Sequence, residues 1–432
     1  MTDLLKELIL DYQQFEKPAG FPRHLQYQII KKKAFICIGV RRCGKTTLLY
    51  QIIDKLQKKK KIASENIVYL NFFDDRIEDN ALSFLIEAYY SLYPDKRHKE
   101  KVYFILDELQ EMTGWERFVN RILNTENCEV FISGSSAKLL SKEIATQMRG
   151  RSLTWELFPF SFKEFADKNG LLNKKMTSQN RILLKNCFDD YFNKGGFPEV
   201  MDKDDRIRIM IHQEYYKNIL HRDIIERFDA NHPQAVIKIS QKLSNNISSL
   251  HSLNKLTEYL RSMGFKCSKQ FVSECLGWYH DAYLFFPVAV FSASISKQNA
   301  NPKKYYAIDH SLMKSVSSKI LRNYGQVLEN IVFMYLRRLT ENIYYYKTKN
   351  GKEVDFITVG NTGKKNLIQV SFDLENSQTI KRETSALFEA MTEQKLKIGT
   401  IITYSDEDVI EQNGKKIKII PAWKSLSQRI KF

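Results

Sequence analysis

Gly39 and Gly44 enclose four residues, and Lys45 and Thr46 follow at once. That spacing can wrap a phosphate. The glycines let the backbone curl until its N–H groups face phosphate oxygens. A lysine at this position reaches the β- and γ-phosphates, and the adjoining hydroxyl holds Mg²⁺. The stretch Gly39, Val40, Arg41, Arg42, Cys43, Gly44, Lys45, Thr46 and Thr47 is therefore predicted to bind ATP. Asp107 and Glu108 close a later apolar run. Asp107 is expected to act with Thr46 on the metal, and Glu108 to polarise the attacking water as the catalytic carboxylate. A further apolar run ends in hydroxyls. Ser133 or Ser135 could contact the γ-phosphate or the water, while Ser136 would serve to cap a helix over 137–143.

These residues need a scaffold that delivers them to one edge. Residues 34–38 are uniformly apolar and lead into the loop as a buried strand, and 46–56 carry a helical pattern. The helix N-terminus adds partial positive charge where phosphate would sit. Strands are predicted over 67–72, 102–109 and 130–136, with helices over 81–93 and 115–123 between them. Such alternation builds a doubly wound sheet whose ligands lie at the carboxyl ends of the strands. An amphipathic helix over 4–15, ended by Pro18, Gly20 and Pro22, comes first.

A chain of 432 residues is too long for one core. Its 43% hydrophobic and 27% charged content suits a protein folded in water. The longest apolar run, 283–291, is too short to span a bilayer and carries Pro287. Residues 1–11 are acidic and lack a continuous apolar core, so neither a secretory signal nor a membrane partner is expected, and the location expected is cytoplasmic. Cysteines at 37, 43, 128, 187, 267 and 275 form no Cys-x-x-Cys pair, which argues against a zinc site or a disulfide framework. Cys43 reads as a small loop filler, with oxidation as the alternative. The net charge is +17, and +9 of it falls in 297–432, where 23 Lys and Arg face 14 Asp and Glu. Such charge suits nucleic acid and, equally, a solvated lysine-rich surface.

Longer motifs extend the pattern. They are Gly-Val-Arg-Arg-Cys-Gly-Lys-Thr-Thr (39–47), Leu-Asp-Glu-Leu-Gln (106–110), Gly-Trp-Glu (114–116), Ser-Gly-Ser-Ser-Ala-Lys-Leu-Leu (133–140), Arg-Gly-Arg-Ser-Leu-Thr-Trp-Glu-Leu-Phe-Pro-Phe-Ser-Phe (149–162), Gly-Gly-Phe-Pro-Glu-Val (195–200) and Arg-Asp-Ile-Ile-Glu-Arg (222–227). Together they resemble a large group of bacterial and archaeal AAA-like P-loop ATPases, related to the STAND and origin-recognition branches. The resemblance implies ATP and Mg²⁺ as ligands, a P-loop core over 1–160 and a helical lid over 161–230. It also implies an arginine that offsets charge on the transferring phosphoryl group. Arg41, Arg42, Arg149, Arg151 and Arg222 are candidates. Arg149 and Arg151 stand at the group's Arg-Gly-Arg and could meet the chain's own nucleotide or a neighbour's. A salt bridge or a nucleic-acid contact is the alternative, and Asp223 makes an ion pair an equal reading for Arg222.

Helices are predicted over 235–245, 252–263 and 268–282, then strands over 283–291 and 305–308 around a basic loop, 297–304. This is the order of a winged helix, assigned to 231–318. Lys266, Lys269, Lys297, Lys303 and Lys304 could follow a DNA backbone, with domain packing or partner binding as the alternative use. Within 319–432, a helix over 325–336, strands over 343–348, 351–358 and 366–372, a helix over 379–391 and a strand over 399–404 resemble the PD-(D/E)XK nuclease core. The resemblance puts Glu329, Asp355 and Gln369 in metal-binding positions. Ser371 stands where that family has its lysine, which favours a fold kept for binding or packing over hydrolysis, with Lys352 as an alternative donor.

The expected architecture is thus α/β: an AAA-like P-loop NTPase domain with helical lid, a winged helix and a C-terminal restriction-nuclease-like α/β domain. The expected function is that of an Mg²⁺-dependent ATPase whose nucleotide state switches the later modules. An ATP-regulated DNA-binding protein or endonuclease is one alternative, and a nucleotide-dependent scaffold with little turnover is another. DNA and a second copy of the chain are candidate partners.

Overall fold

Five runs rich in β-branched and aromatic residues pair side by side in Met1–Pro159, the first of two units into which the chain divides. The computed structural model describes residues 1–15, 18–135, 148–172, 174–317, 319–320, 323–374 and 376–428. In the first unit, α1 (Thr2–Gln14) precedes β1 (Ala34–Gly39), α2 (Lys45–Asp54), β2 (Ile67–Asn71), α3 (Ala81–Leu92), β3 (Val102–Asp107), α4 (Trp115–Thr125), β4 (Cys128–Ser135) and β5 (Ser152–Glu156). The sheet order is β2-β3-β4-β1-β5, and every pairing is parallel. Parallel strands covered on both faces read as continuous apolar runs, and β1 and β3 are buried throughout. In α4 the buried Trp115, Phe118, Val119, Ile122 and Leu123 recur at helical spacing, so one stripe faces the core. Helix α1 turns Leu5, Leu8 and Ile9 inward.

Register decides which side chains meet. Gly39 of β1 pairs with Ser135 of β4, and Asn71 of β2 with Asp107 of β3. Leu106 pairs with Ile132, which brings Asp107 beside Ser133. The loop after β1, the carboxylates after β3 and the hydroxyls of β4 therefore share the carboxyl edge of one sheet. The helix expected over 137–143, with its Ser136 cap, lies outside the described residues.

The second unit spans Phe160–Phe432. Helices α5 (Phe162–Lys168), α6 (Ser178–Lys194) and α7 (Asp205–Asn218) come first, and α7 runs on into π-helical turns over Ile219–Glu226. Next come α8 (Pro233–Ser244), β6 (Leu250–His251), α9 (Leu253–Ser262), α10 (Lys269–Asp281), β7 (Phe285–Val288), α11 (Ile295–Ala300) and β8 (Lys303–Ala307). Ser252 and Ser268 cap α9 and α10 by accepting from the N–H groups of Lys255 and Phe271. The three strands form an antiparallel sheet in the order β6-β8-β7. The expected basic loop is only partly a loop, because Ser294 caps α11 within it.

After α12 (His310–Val316) and α13 (Tyr324–Arg337), a six-stranded mixed sheet closes the chain. Its strands are β9 (Ile343–Lys347), β10 (Glu353–Val359), β11 (Lys365–Val370), β12 (Ile398–Thr403), β13 (Asp408–Gln412) and β14 (Lys415–Pro421), in the order β13-β14-β12-β11-β10-β9. Helix α14 (Ser377–Glu393) packs Leu387, Ala390 and Met391 against Val354, Ile357, Leu367, Ile401 and Ile417 of this sheet. Among the described residues, no helix is long and apolar enough to cross a membrane.

Candidate functional site

The loop between β1 and α2 is built around a close approach. A Cβ on Gly39 would run into the carbonyl oxygen of Leu157, so only glycine fits there. Arg42 and Gly44 both adopt left-handed backbone, with φ of 65° and 99°. That conformation costs the glycine little, and at Arg42 it marks a backbone held by its surroundings. Cys43 is fully buried, and burial pushes its thiol pKa up, which suits a packing residue and not a reactive thiolate.

Lys45 is buried, with its ammonium donating to the carbonyls of Gly39 at 3.1 Å and Val40 at 3.3 Å. Burial works against its charge, but the nearby carboxylates of Glu108 and Asp107 favour it, and its pKa is raised. The lysine is thus a fixed cation folded over the mouth of the loop. The Thr46 hydroxyl donates to Asp107 Oδ2 at 2.7 Å, joining the start of α2 to the end of β3. A hydroxyl and a carboxylate side by side at a phosphate loop fit the protein's share of an Mg²⁺ shell, which needs one or two protein ligands when a nucleotide supplies others. Among the described residues no group of three or more His, Cys, Asp or Glu forms a self-sufficient metal cage.

Asp107 is held from two further sides. Tyr69 donates its hydroxyl to Oδ2 at 2.9 Å, and the buried Ser133 donates to Oδ1. Ser133, one of two serines considered for phosphate or water, is therefore engaged by the carboxylate. Ser135 ends β4 with its backbone opposite Gly39, and its side chain falls outside the described residues. Glu108 follows in left-handed conformation, φ 53°, half-buried, and accepts from Gln110 Nε2 at 2.5 Å.

Sequence reasoning missed Tyr69 and Arg23. Tyr69 sits in a run read only as a strand, although a polar tip on a fully buried ring is a signal that it has a partner. Arg23 follows the Pro-Ala-Gly-Phe-Pro stretch (18–22), and its guanidinium donates to the carbonyls of Cys43 at 2.8 Å and Phe158 at 2.6 Å. It ties the phosphate loop to the chain beyond β5.

The pattern of the AAA domain matches residues 31–166, two further patterns described as domains of unknown function (DUF8612 and DUF4143) match 185–342 and 324–424. An uncharacterized protein of Methanocaldococcus jannaschii, MJ1544, is 35% identical over 98% of this chain and 94% of its own length. The chain belongs to that protein's family. A second member, an uncharacterized protein of Haemophilus influenzae, is 33% identical over 74% of this chain and 78% of its own. Among solved structures, the Orc1 protein of Aeropyrum pernix in complex with DNA aligns over 73% of this chain and 90% of its own. The identity is 12% and the TM-score 0.32, too slight a likeness to carry an argument. Within the family, this member's first unit is an AAA-type P-loop domain, the class of nucleotide-binding ATPases.

The remaining candidates are dispersed in this family member. Arg149 is exposed and Arg151 half-buried just before β5, where the Arg151 carbonyl accepts from Ala34 at the start of β1. The phosphate loop lies at the other end of β1, about 16 Å away at strand spacing. Neither arginine stands at the chain's own phosphate loop. Arg222 is exposed on the π-helical turns of the second unit. Lys266, Lys269 and Lys297 are exposed, whereas Lys304 is buried and unavailable to a DNA backbone.

Glu329 on α13 and Asp355 on β10 do come together, both bonded to Lys304. Gln369 is adjacent, accepting from the Asp355 N–H at 3.1 Å and donating to Glu383 of α14 at 2.7 Å. Ser371 is buried and donates to the Asp373 carbonyl. Lys352, considered as a substitute lysine, ion-pairs with Glu389 at 3.2 Å.

Proposed function

We propose that the protein is an Mg²⁺-dependent ATPase whose nucleotide state acts as a switch for the modules after residue 160. The observation that carries this reading is the Thr46–Asp107 hydrogen bond beside the buried Lys45 ammonium: a cation, a hydroxyl and a carboxylate converge at one phosphate loop. Lys45 would bind the β- and γ-phosphates, Thr46 and Asp107 would hold the metal, and Glu108 would accept the proton of the attacking water. When bound, Mg²⁺ would neutralise charge on the phosphate oxygens. Tyr69 and Ser133 hold the Asp107 carboxylate from two sides, which would preorganise it as a metal ligand. Residues Gly39, Val40, Arg41, Arg42, Cys43, Gly44 and Thr47 complete the loop.

Arg149 and Arg151, at the opposite edge of the sheet, suit the nucleotide of a second copy of the chain better than their own. Exposed Lys266, Lys269 and Lys297, on three helices and a hairpin in winged-helix order, support DNA as a partner of 231–318. The C-terminal sheet with Glu329, Asp355 and Gln369 is read as nuclease-like in form and used for binding or packing.

Titration of the full chain with a fluorescent ATP analogue and Mg²⁺ tests the phosphate loop. Lys45→Ala is expected to weaken binding by at least about 100-fold, the loss of a buried charge-assisted contact. Binding by Lys45→Ala at wild-type strength contradicts the assignment.

A further inference from the structure

The second acidic constellation carries an internal cation. Lys304 Nζ lies 2.8 Å from Asp355 Oδ1, 3.1 Å from Glu329 Oε1 and 3.0 Å from Glu353 Oε1. The lysine side chain is 5% exposed, and those of Asp355 and Glu329 are 11% and 13% exposed. Tyr306, two residues along the same strand, donates its hydroxyl to Glu329 Oε1 at 2.6 Å. The other Asp355 oxygen accepts from the Val370 N–H at 3.0 Å. A nuclease-like fold implies a divalent metal between these carboxylates, and the residues present do not fit one: an ammonium already sits within hydrogen-bond distance of three of them.

We propose that Lys304 replaces the metal, so that the nuclease-like constellation is a metal-free ionic clamp joining strand β8 to helix α13 and strand β10. This inference stands apart from the ATP site.

Charge bookkeeping agrees with the geometry. Burial, with the neighbouring Asp355 charge, raises the Glu329 pKa, and Tyr306 donates its hydroxyl to the same carboxylate. Glu353 is 31% exposed and keeps water on one side. Lys304 and Asp355 are the closest opposite pair and are both largely desolvated, and the surrounding carboxylates hold the lysine well above its ordinary pKa despite burial. The seam around the clamp is continuous. Asn330 of α13 accepts from the Ala307 N–H at 2.7 Å and donates to the Ala307 carbonyl at 3.0 Å. Tyr306 stacks on Phe333 at 4.3 Å, and the Tyr345 hydroxyl donates to the Pro302 carbonyl at 2.7 Å. Gln326 of α13 donates to Ser249 at 2.7 Å. The clamp and these contacts together tie the β6-β8-β7 sheet, through α13, to the C-terminal sheet.

The test uses the full chain without nucleotide, with thermal unfolding and Mn²⁺ binding followed by electron paramagnetic resonance. Wild type is expected to unfold at the same temperature in EDTA and in millimolar Mn²⁺, and to bind no Mn²⁺ that Asp355→Asn removes. Lys304→Met is expected to lower the Tm by about 10 °C, the cost of stranding buried carboxylates. Lys304→Met/Asp355→Asn, which removes both charges of the desolvated pair, is expected to recover at least about half of that loss, because the stranded charge is gone. Stoichiometric Mn²⁺ binding by wild type that Asp355→Asn abolishes overturns the proposal, as does a Lys304→Met Tm equal to wild type. Should Lys304→Met fail to fold, the wild-type and Asp355→Asn Mn²⁺ titrations decide alone.

Discussion

Asp107 shows how much of this site depends on side chains that never touch a nucleotide. Its two oxygens receive three hydroxyl donors, Thr46, Tyr69 and Ser133. Thr46 is expected to turn to the metal, and the other two then hold the carboxylate in place. Removing one hydrogen bond to a charged group costs about 1.5–3 kcal/mol. Tyr69→Phe deletes the donor and keeps the ring, which stacks on Tyr12 of α1 at 3.9 Å. We expect kcat to fall about 10-fold, with ATP affinity within about twofold of wild type, because only the carboxylate's placement is loosened. Steady-state kinetics at saturating Mg²⁺ checks this, and an equal loss in affinity with unchanged kcat would point to a merely structural tyrosine. The core geometry was legible residue by residue: Thr46 bonds Asp107, and the Lys45 ammonium lies on the carbonyls of Gly39 and Val40 in the same loop. Tyr69 and Ser133 were not assigned as supports, since their role depends on strand register, which no short motif encodes. Lys304 was misread as surface charge for the same reason. Nothing local shows that β8 points it at carboxylates from α13 and β10.

At the scale of elements, the alternation of strands and helices in the first unit could be read directly, because parallel strands buried on both faces are uniformly apolar. Strand β5 escaped notice. Its residues are at most half-buried, as an edge strand's are, and Ser152, Thr154 and Glu156 interrupt any apolar run. In the last sheet, β13 was missed because it is exposed and carries Asp408 and Glu411, and β14 because Lys415, Lys416 and Lys418 break up its buried isoleucines. The segment before β1 also proved to be more than a helix terminator. Gln51 of α2 donates to the carbonyls of Ala19 and Phe21, both at 2.7 Å, and Arg23 reaches Cys43 and Phe158. Residues 18–23 therefore strap the phosphate loop to its sheet. Arg23→Met keeps the stem and removes both bonds. It should speed hydrogen exchange of the amides in 39–47 and weaken ATP binding about 10-fold, although Arg23 itself bonds only backbone carbonyls among its contacts described above. Unchanged exchange in 39–47 would remove the strap from the account.

For the whole molecule, the balance of +17 was legible at once, but its use was not. Burial separates the lysines: Lys304 neutralises an internal cluster, while Lys266, Lys269 and Lys297 face solvent. If the exposed set follows a DNA backbone, duplex DNA should stimulate ATP turnover. The stimulation should fade as salt rises from about 50 to 200 mM, because each phosphate contact releases counterions. DNA-independent turnover at every salt would leave those lysines as a solvated surface. Beneath either outcome lies the claim that this AAA-type domain hydrolyses ATP through Glu108. The most direct measurement is ATP turnover by the full chain in Mg²⁺, wild type beside Glu108→Gln, with ATP binding recorded on the same samples. Glu108→Gln is expected to bind ATP as wild type does and to turn it over at least about 100-fold more slowly, the usual worth of a positioned base. Turnover by Glu108→Gln at the wild-type rate would contradict the claim.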